Sequence, residues 1–190
     1  MIVLVNKRKF TTFLAFFLIL VLALFGILNM KNIKQGLYPT KYSSYVEKYS
    51  NMYGVDKYLV YSVIKAESNF EETAKSDKGA VGLMQIMPET GEEYAGKIGI
   101  EGFSVNMLSE PEVNVQIGCY YLAYLMNRYA NHIPTAAAAY NAGLGNVDDW
   151  LAQEQVHTLN VEIVPFGETR KYIEKVEGYY NKYLELYEEE

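Results

Sequence analysis

The chain has 190 residues, with 17 Lys and Arg against 23 Asp and Glu, a formal net charge of −6 that argues against nucleic acid as a partner. Its single cysteine, Cys119, excludes an internal disulfide. Its two histidines, His132 and His157, sit in no metal-ligand spacing, so no metal or other cofactor is assigned.

Residues 10–30 carry no charge, and only Thr11, Thr12 and Asn29 interrupt their apolar character. As a helix they span about 31 Å at ~1.5 Å per residue, matching the roughly 30 Å hydrocarbon core of a bilayer. Lys7, Arg8 and Lys9 precede the run and favour a cytoplasmic segment over 1–9 with the remainder outside, although Lys31 and Lys34 weaken the asymmetry. A cleaved secretory signal is the alternative. The run is long for one and no small-x-small cleavage site follows it, so an uncleaved single-pass transmembrane anchor over 10–30 is the expectation. Either way the rest of the chain is exported. Beyond Lys7, Arg8 and Lys9 there remain 14 cations against all 23 acids, about −9. A short tether over 31–41, containing Gly36 and Pro39, leads to one domain over 42–187 and an acidic tail over 188–190.

Within that domain, Tyr42, Tyr45, Val46 and Tyr49 mark one side of a helix over 42–53, closed by Gly54. Asp56 is a candidate N-cap for the next helix, in which Leu59, Val60, Val63 and Ile64 fall at about 0°, 100°, 40° and 140° around the axis. Glu67 falls at about 80°, inside that apolar stripe. A glutamate is rarely buried without a partner or a task. The alternative is that the helix ends near Ala66 and Glu67 turns out into solvent.

Past Phe70 the periodicity stops, and a polar run through Ser76 and Asp77 enters Gly79-Ala80-Val81-Gly82-Leu83-Met84-Gln85-Ile86-Met87-Pro88. The two glycines permit close backbone approach, and Gln85 brings an amide donor and acceptor into an apolar segment. A helix over 89–95 is expected to break at Gly96 and Gly99. Ser109-Glu110-Pro111-Glu112 reads as a capping box opening a helix with Val113, Ile117, Tyr121, Leu122, Leu125 and Tyr129 as its buried stripe, and Cys119 as core filling. Residues 135–142 are almost all alanine before Tyr140-Asn141, with Gly143 to end the helix; Asn146 and Asp149 would cap the helix holding Trp150. The last helix, over 168–186, presents Tyr172, Ile173, Val176, Tyr179, Tyr180 and Tyr183 on one face. The fold class is therefore mainly α, with at most a small hairpin between Gln85 and Leu108 or between Val156 and Pro165.

Glu67-Ser68, the Gly82-Leu83-Met84-Gln85 run, Ala139-Tyr140-Asn141-Ala142-Gly143 and the segment from Pro165 to Tyr172, in that order, resemble the motifs of the soluble-lytic-transglycosylase (SLT) domain family. The resemblance covers about 42–183 and implies a goose-type lysozyme-like fold acting on peptidoglycan glycan strands; the membrane, reached through the N-terminal helix, is the partner that the uncharged run over 10–30 implies. It implies that Glu67 protonates the oxygen linking N-acetylmuramic acid to N-acetylglucosamine, then serves as base on the muramoyl C6 hydroxyl, which closes onto C1 as a 1,6-anhydro end. Most glycosidases use two carboxylates; the residues offer one well-placed acid, since Asp77, Asp148 and Asp149 lie in turn or cap contexts and Glu168 at a helix start. An ordinary glutamate, with pKa near 4.3, is protonated about 0.2% of the time at pH 7, and a shift to roughly 6 raises that to about 10%.

The resemblance also implies supporting roles. Tyr140 would hydrogen-bond and orient Glu67, and Ser68 would hold the end of the helix that carries it. Met84 and Gln85 would line the cleft, while Ser76, Asn141, Glu168 and Tyr172 would contact the glycan or buttress the site. Two other readings stay open at this point: a hydrolase of the same fold with goose-type lysozyme activity, and a membrane-anchored glycan-binding scaffold with little turnover.

Overall fold

The computed structural model describes residues 7–28 and 30–188, with side chains over 11–26, 30 and 32–188. Residues 1–6 of the expected cytoplasmic segment and Glu189 and Glu190 of the tail lie outside them. The chain divides into two compact units, Met1–Pro39 and Thr40–Glu190.

The first unit contains α1 (Lys7–Leu28) and α2 (Met30–Leu37). Every described side chain over 11–25 is exposed, Phe13, Phe16 and Ile19 among them. Among the described residues no helix is long and apolar enough to cross a membrane. Only 11–26 of α1 has described side chains, which falls short of the roughly 20 residues that a span requires. The tether expected over 31–41 is helical as far as Leu37, because Met30, Ile33 and Leu37 recur at helical spacing across Gly36.

The second unit is built of α3 (Ser43–Tyr53), α4 (Lys57–Glu67), α5 (Pro88–Lys97), α6 (Pro111–Arg128), α7 (Ile133–Ala142), α8 (Leu144–Glu154) and α9 (Gly167–Tyr187). Asp56 caps α4 by accepting from the Tyr58 amide at 2.7 Å, and Leu59, Val60, Val63 and Ile64 are each at most 2% exposed. Each such side chain contributes about 1.5–3 kcal/mol of burial. The stripe packs α4 on α9, where Tyr61 stacks on Tyr183 with ring centroids 5.5 Å apart. On α7, Ala136, Ala137, Ala138 and Ala139 are all buried, and their small side chains let the helix lie close to both α6 and α9.

Several local expectations give way to longer-range partners. Ser109 ends a 3₁₀ turn (Val105–Ser109), and Glu110 takes the cap position of α6. Glu112 does not close a capping box, because its carboxylate accepts from Lys48 at 2.8 Å and Tyr49 at 2.9 Å on α3. Helix α5 runs through Gly96, and α8 begins at Leu144, so Asn146 lies inside it and donates to the Ala142 carbonyl instead of capping. Among the described residues there is no strand. Isolated antiparallel bridges join Lys75 to Val81 and Val81 to Ile86, of which only Ile86 falls within a stretch where a hairpin was expected.

Candidate active site

Glu67 is the last residue of α4, and the helix axis delivers it to the wall of a cleft of about 430 Å³. Ser76, Gln85, Tyr140, Asn141 and Glu168 line the same cleft. A second cavity of about 240 Å³ shares Gln85, Met87, Tyr140 and Asn141 with it and so adjoins it. A separate depression of about 490 Å³ lies over Arg128, Asp148 and His157. It contains none of the candidate residues, and its Arg128 and Asp148 neutralise each other at 2.6 Å.

Burial raises the Glu67 carboxyl from its ordinary 4.5 to about 7, against the opposing influence of the Tyr172 hydroxyl and then the Lys175 charge. The residue is partly exposed, opening on the cleft while protein surrounds most of the carboxyl. Tyr172 is 8% exposed, and its hydroxyl meets hydrogen-bond geometry with no atom of the described residues, although it lies near enough to the carboxyl to favour ionisation. The approach is therefore short of a full hydrogen bond. Lys175, on the same α9 face, donates to the Ala66 carbonyl at 2.8 Å, directly before the acid.

Tyr140 stands near Glu67, whose charge adds to burial in raising its phenol. Its hydroxyl proton goes to the Met84 carbonyl at 2.8 Å and not to Glu67, which corrects the expected pairing. A phenol has one proton to donate, and the Gly82–Met84 backbone takes it. Ser68 likewise faces the scaffold: its hydroxyl donates to the Leu83 carbonyl at 2.8 Å and lies 3.2 Å from that of Ile64, joining the end of α4 to the glycine loop. It does not line the cleft. Met84 is wholly buried, and its sulfur fills the space over Gly118, where an added Cβ would meet it at 2.2 Å. The methionine that lines the cleft is Met87, 36% exposed.

Gln85 adopts a left-handed backbone with φ 46°. Its amide nitrogen donates to the Ala74 and Gly82 carbonyls at 3.1 and 2.9 Å, which leaves the side-chain oxygen as the acceptor it can offer a ligand. Asn141 accepts from the Thr169 hydroxyl at 2.9 Å, and Ser76 accepts from the Ala80 amide at 2.9 Å. Glu168 is exposed in the first turn of α9.

Sequence reasoning missed Asn114, which holds the loop to α6. Only 1% exposed, it accepts from the Met84 amide and donates to the Val81 and Leu108 carbonyls, each at 2.8 Å. Its one signal is a polar residue beside a buried apolar stripe. Lys78, Phe166 and Thr169 also line the cleft without having been singled out for it.

Residues 44–160 match the family described as Transglycosylase SLT domain. The match ends before α9, which carries Glu168 and Tyr172. The chain is 34% identical over 146 residues to the soluble lytic murein transglycosylase of Escherichia coli K12, covering 75% of this chain and 23% of that one. It is 30% identical to the membrane-bound lytic murein transglycosylase C of Edwardsiella ictaluri, over 77% of this chain and 47% of the relative. The crystal structure of the 70 kDa soluble lytic transglycosylase of Escherichia coli superposes with a TM-score of 0.75 at 33% identity, over 80% of this chain and 25% of the other. The chain thus spans between a quarter and a half of these relatives, and the family match over 44–160 includes Glu67. It belongs to the transglycosylase SLT domain family.

Proposed function

We propose that the chain is a membrane-anchored peptidoglycan lytic transglycosylase with Glu67 as its catalytic acid and base. The observation that carries this reading is the Glu67 carboxyl, raised to about 7 beside a cleft of about 430 Å³. At neutral pH about half of such carboxyls hold a proton, so the group can give one to the glycosidic oxygen and take one back afterwards. Protonation expels the N-acetylglucosamine as an alcohol. The Glu67 carboxylate then removes the proton of the muramoyl C6 hydroxyl, whose oxygen bonds to C1, and no water is consumed. The Gln85 side-chain oxygen and the Asn141 amide hydrogens suit hydroxyl and acetamido groups, and Ser76 and Glu168 extend the lining. Tyr140 and Ser68 act indirectly by fixing the loop that faces the acid, and Tyr172 tunes its proton affinity.

The uncharged run over 10–30, preceded by Lys7, Arg8 and Lys9, supports the anchor with its N-terminal end in the cytoplasm. The domain over 42–187 then works outside the membrane. A hydrolytic reading draws on one observation, that Glu168 lines the cleft with Glu67 and supplies a second carboxylate. Digestion of purified peptidoglycan by the parent and by Glu67→Gln, with fragments identified by mass spectrometry, separates the readings. Anhydro ends from the parent alone support the proposal; reducing ends, heavier by one water, replace it with a lysozyme, and no release from either protein leaves a scaffold.

A further inference from the structure

The turn over 76–79 is braced on itself. The Ser76 amide donates to the Ala80 carbonyl at 3.0 Å, the Gly79 amide to the Ser76 carbonyl at 2.9 Å, and the Ala80 amide to the Ser76 hydroxyl at 2.9 Å, while the Lys75 to Val81 bridge closes its base. Such a turn holds its tip with little freedom. Lys78 stands at that tip, exposed, and lines the cleft together with Glu67 and Glu168. Among the described residues, no hydrogen bond or ion pair engages its ammonium, whereas Lys48, Lys97 and Arg128 are paired with Glu112, Glu93 and Asp148.

An exposed lysine is by default a solvated group. Its position here sets it apart: of the other ionisable groups that line the cleft, Glu67 and Glu168 are carboxyls and Tyr140 is a phenol, so Lys78 alone among them can meet an anion as a cation. We propose that Lys78 is a specificity-determining residue that pairs with a carboxylate on the side branch of the glycan, so that the cleft prefers strands carrying free carboxylates over neutral ones. The inference rests on the proposed peptidoglycan substrate, whose sugars are neutral while the lactyl group and its peptide bear the acids. An exposed ion pair of this kind is worth roughly a 1.4- to 5-fold preference, and salt screens it.

The test uses the full chain in detergent carrying Glu67→Gln to block turnover. Calorimetric titration compares soluble glycan-peptide strands with the same strands after their carboxylates have been converted to neutral methylamides. Native strands bind about 1.4- to 5-fold tighter at low salt. Adding Lys78→Gln removes the preference, Lys78→Arg keeps it, and 0.5 M sodium chloride shrinks it. A preference that survives Lys78→Gln, a ratio of one before that change, or no binding of either strand overturns the proposal. Product analysis of the parent is separate: absence of anhydro ends with the preference intact would defeat the transglycosylase reading and leave the role of Lys78 standing.

Discussion

Replacing Glu67 by glutamine changes the pH dependence of stability in a direction that the site dictates. The folded carboxyl holds its proton up to about pH 7, whereas the unfolded chain releases it near the ordinary 4.5. Below 4.5 both states are protonated and the site costs nothing. Between 4.5 and 7 the folded state binds more protons, so stability falls as pH rises, and above 7 the loss is complete. At 1.36 kcal/mol per unit the full shift is on the order of 3 kcal/mol, and the partial exposure of the residue brings the expectation to about 2–3 kcal/mol. Glutamine has no charge to bury, so the variant loses this slope while keeping the shape of the side chain. Urea unfolding at pH 5 and pH 8 measures it through Trp150, the single tryptophan, which is 6% exposed in α8 and meets Phe166 edge-on at 5.1 Å. Other titrating groups are common to both proteins and cancel in the difference. The variant gains about 1–2 kcal/mol over the parent between pH 5 and pH 8, part of the loss having already occurred by pH 5; a difference independent of pH would refute the buried, proton-holding Glu67.

Activity should follow the same proton from the other side. The rate of bond cleavage declines as pH rises through about 7, because the acid is then ionised, and Tyr172→Phe moves that decline upward by removing a hydroxyl that favours the carboxylate; a pH-rate profile checks both. Asn114→Ala strands the Met84 amide and the Leu108 carbonyl in the interior, which costs about 3 kcal/mol or more in urea unfolding. Gly82→Ala forces a Cβ to within 2.4 Å of the Asn114 side-chain nitrogen and 2.5 Å of the Leu108 carbonyl at φ +79°, so the variant fails to reach the parent's melting cooperativity or falls by several kcal/mol. Glu168→Gln separates the two chemistries in a product assay: release of anhydro ends that persists in the variant excludes a two-carboxylate mechanism.

What could be read in advance follows the range of the interaction. The stripe Leu59, Val60, Val63 and Ile64, the Asp56 cap and the terminating Gly54 and Gly143 are decided within a few residues, and each has its expected place in the structure. The placement of Glu67 on the buried face of α4 was legible for the same reason. Ser109 failed as a cap because Glu112 has stronger partners, Lys48 and Tyr49, more than sixty residues away in sequence. Tyr140 was placed beside the acid by its motif, yet the recipient of its proton depends on where the Met84 carbonyl points, which no local pattern encodes. Met84 and Met87 are indistinguishable as residue types. Only the presence of Gly118 beneath one of them makes it core and leaves the other to the cleft.

The Asn114 tie divides the segment facing the acid into two zones with different mutational freedom. From Val81 to Met84 the backbone is fastened to α6, and a change there is felt in folding before it is felt in recognition. From Ser76 to Gly79 the side chains are exposed, and a Cβ added at Gly79 would meet nothing within 4 Å, so only its backbone angle constrains that position. Asp77 and Lys78 can therefore drift, or be randomised in a library, at almost no cost to the scaffold. The rim of this cleft is free to diversify while its wall stays fixed.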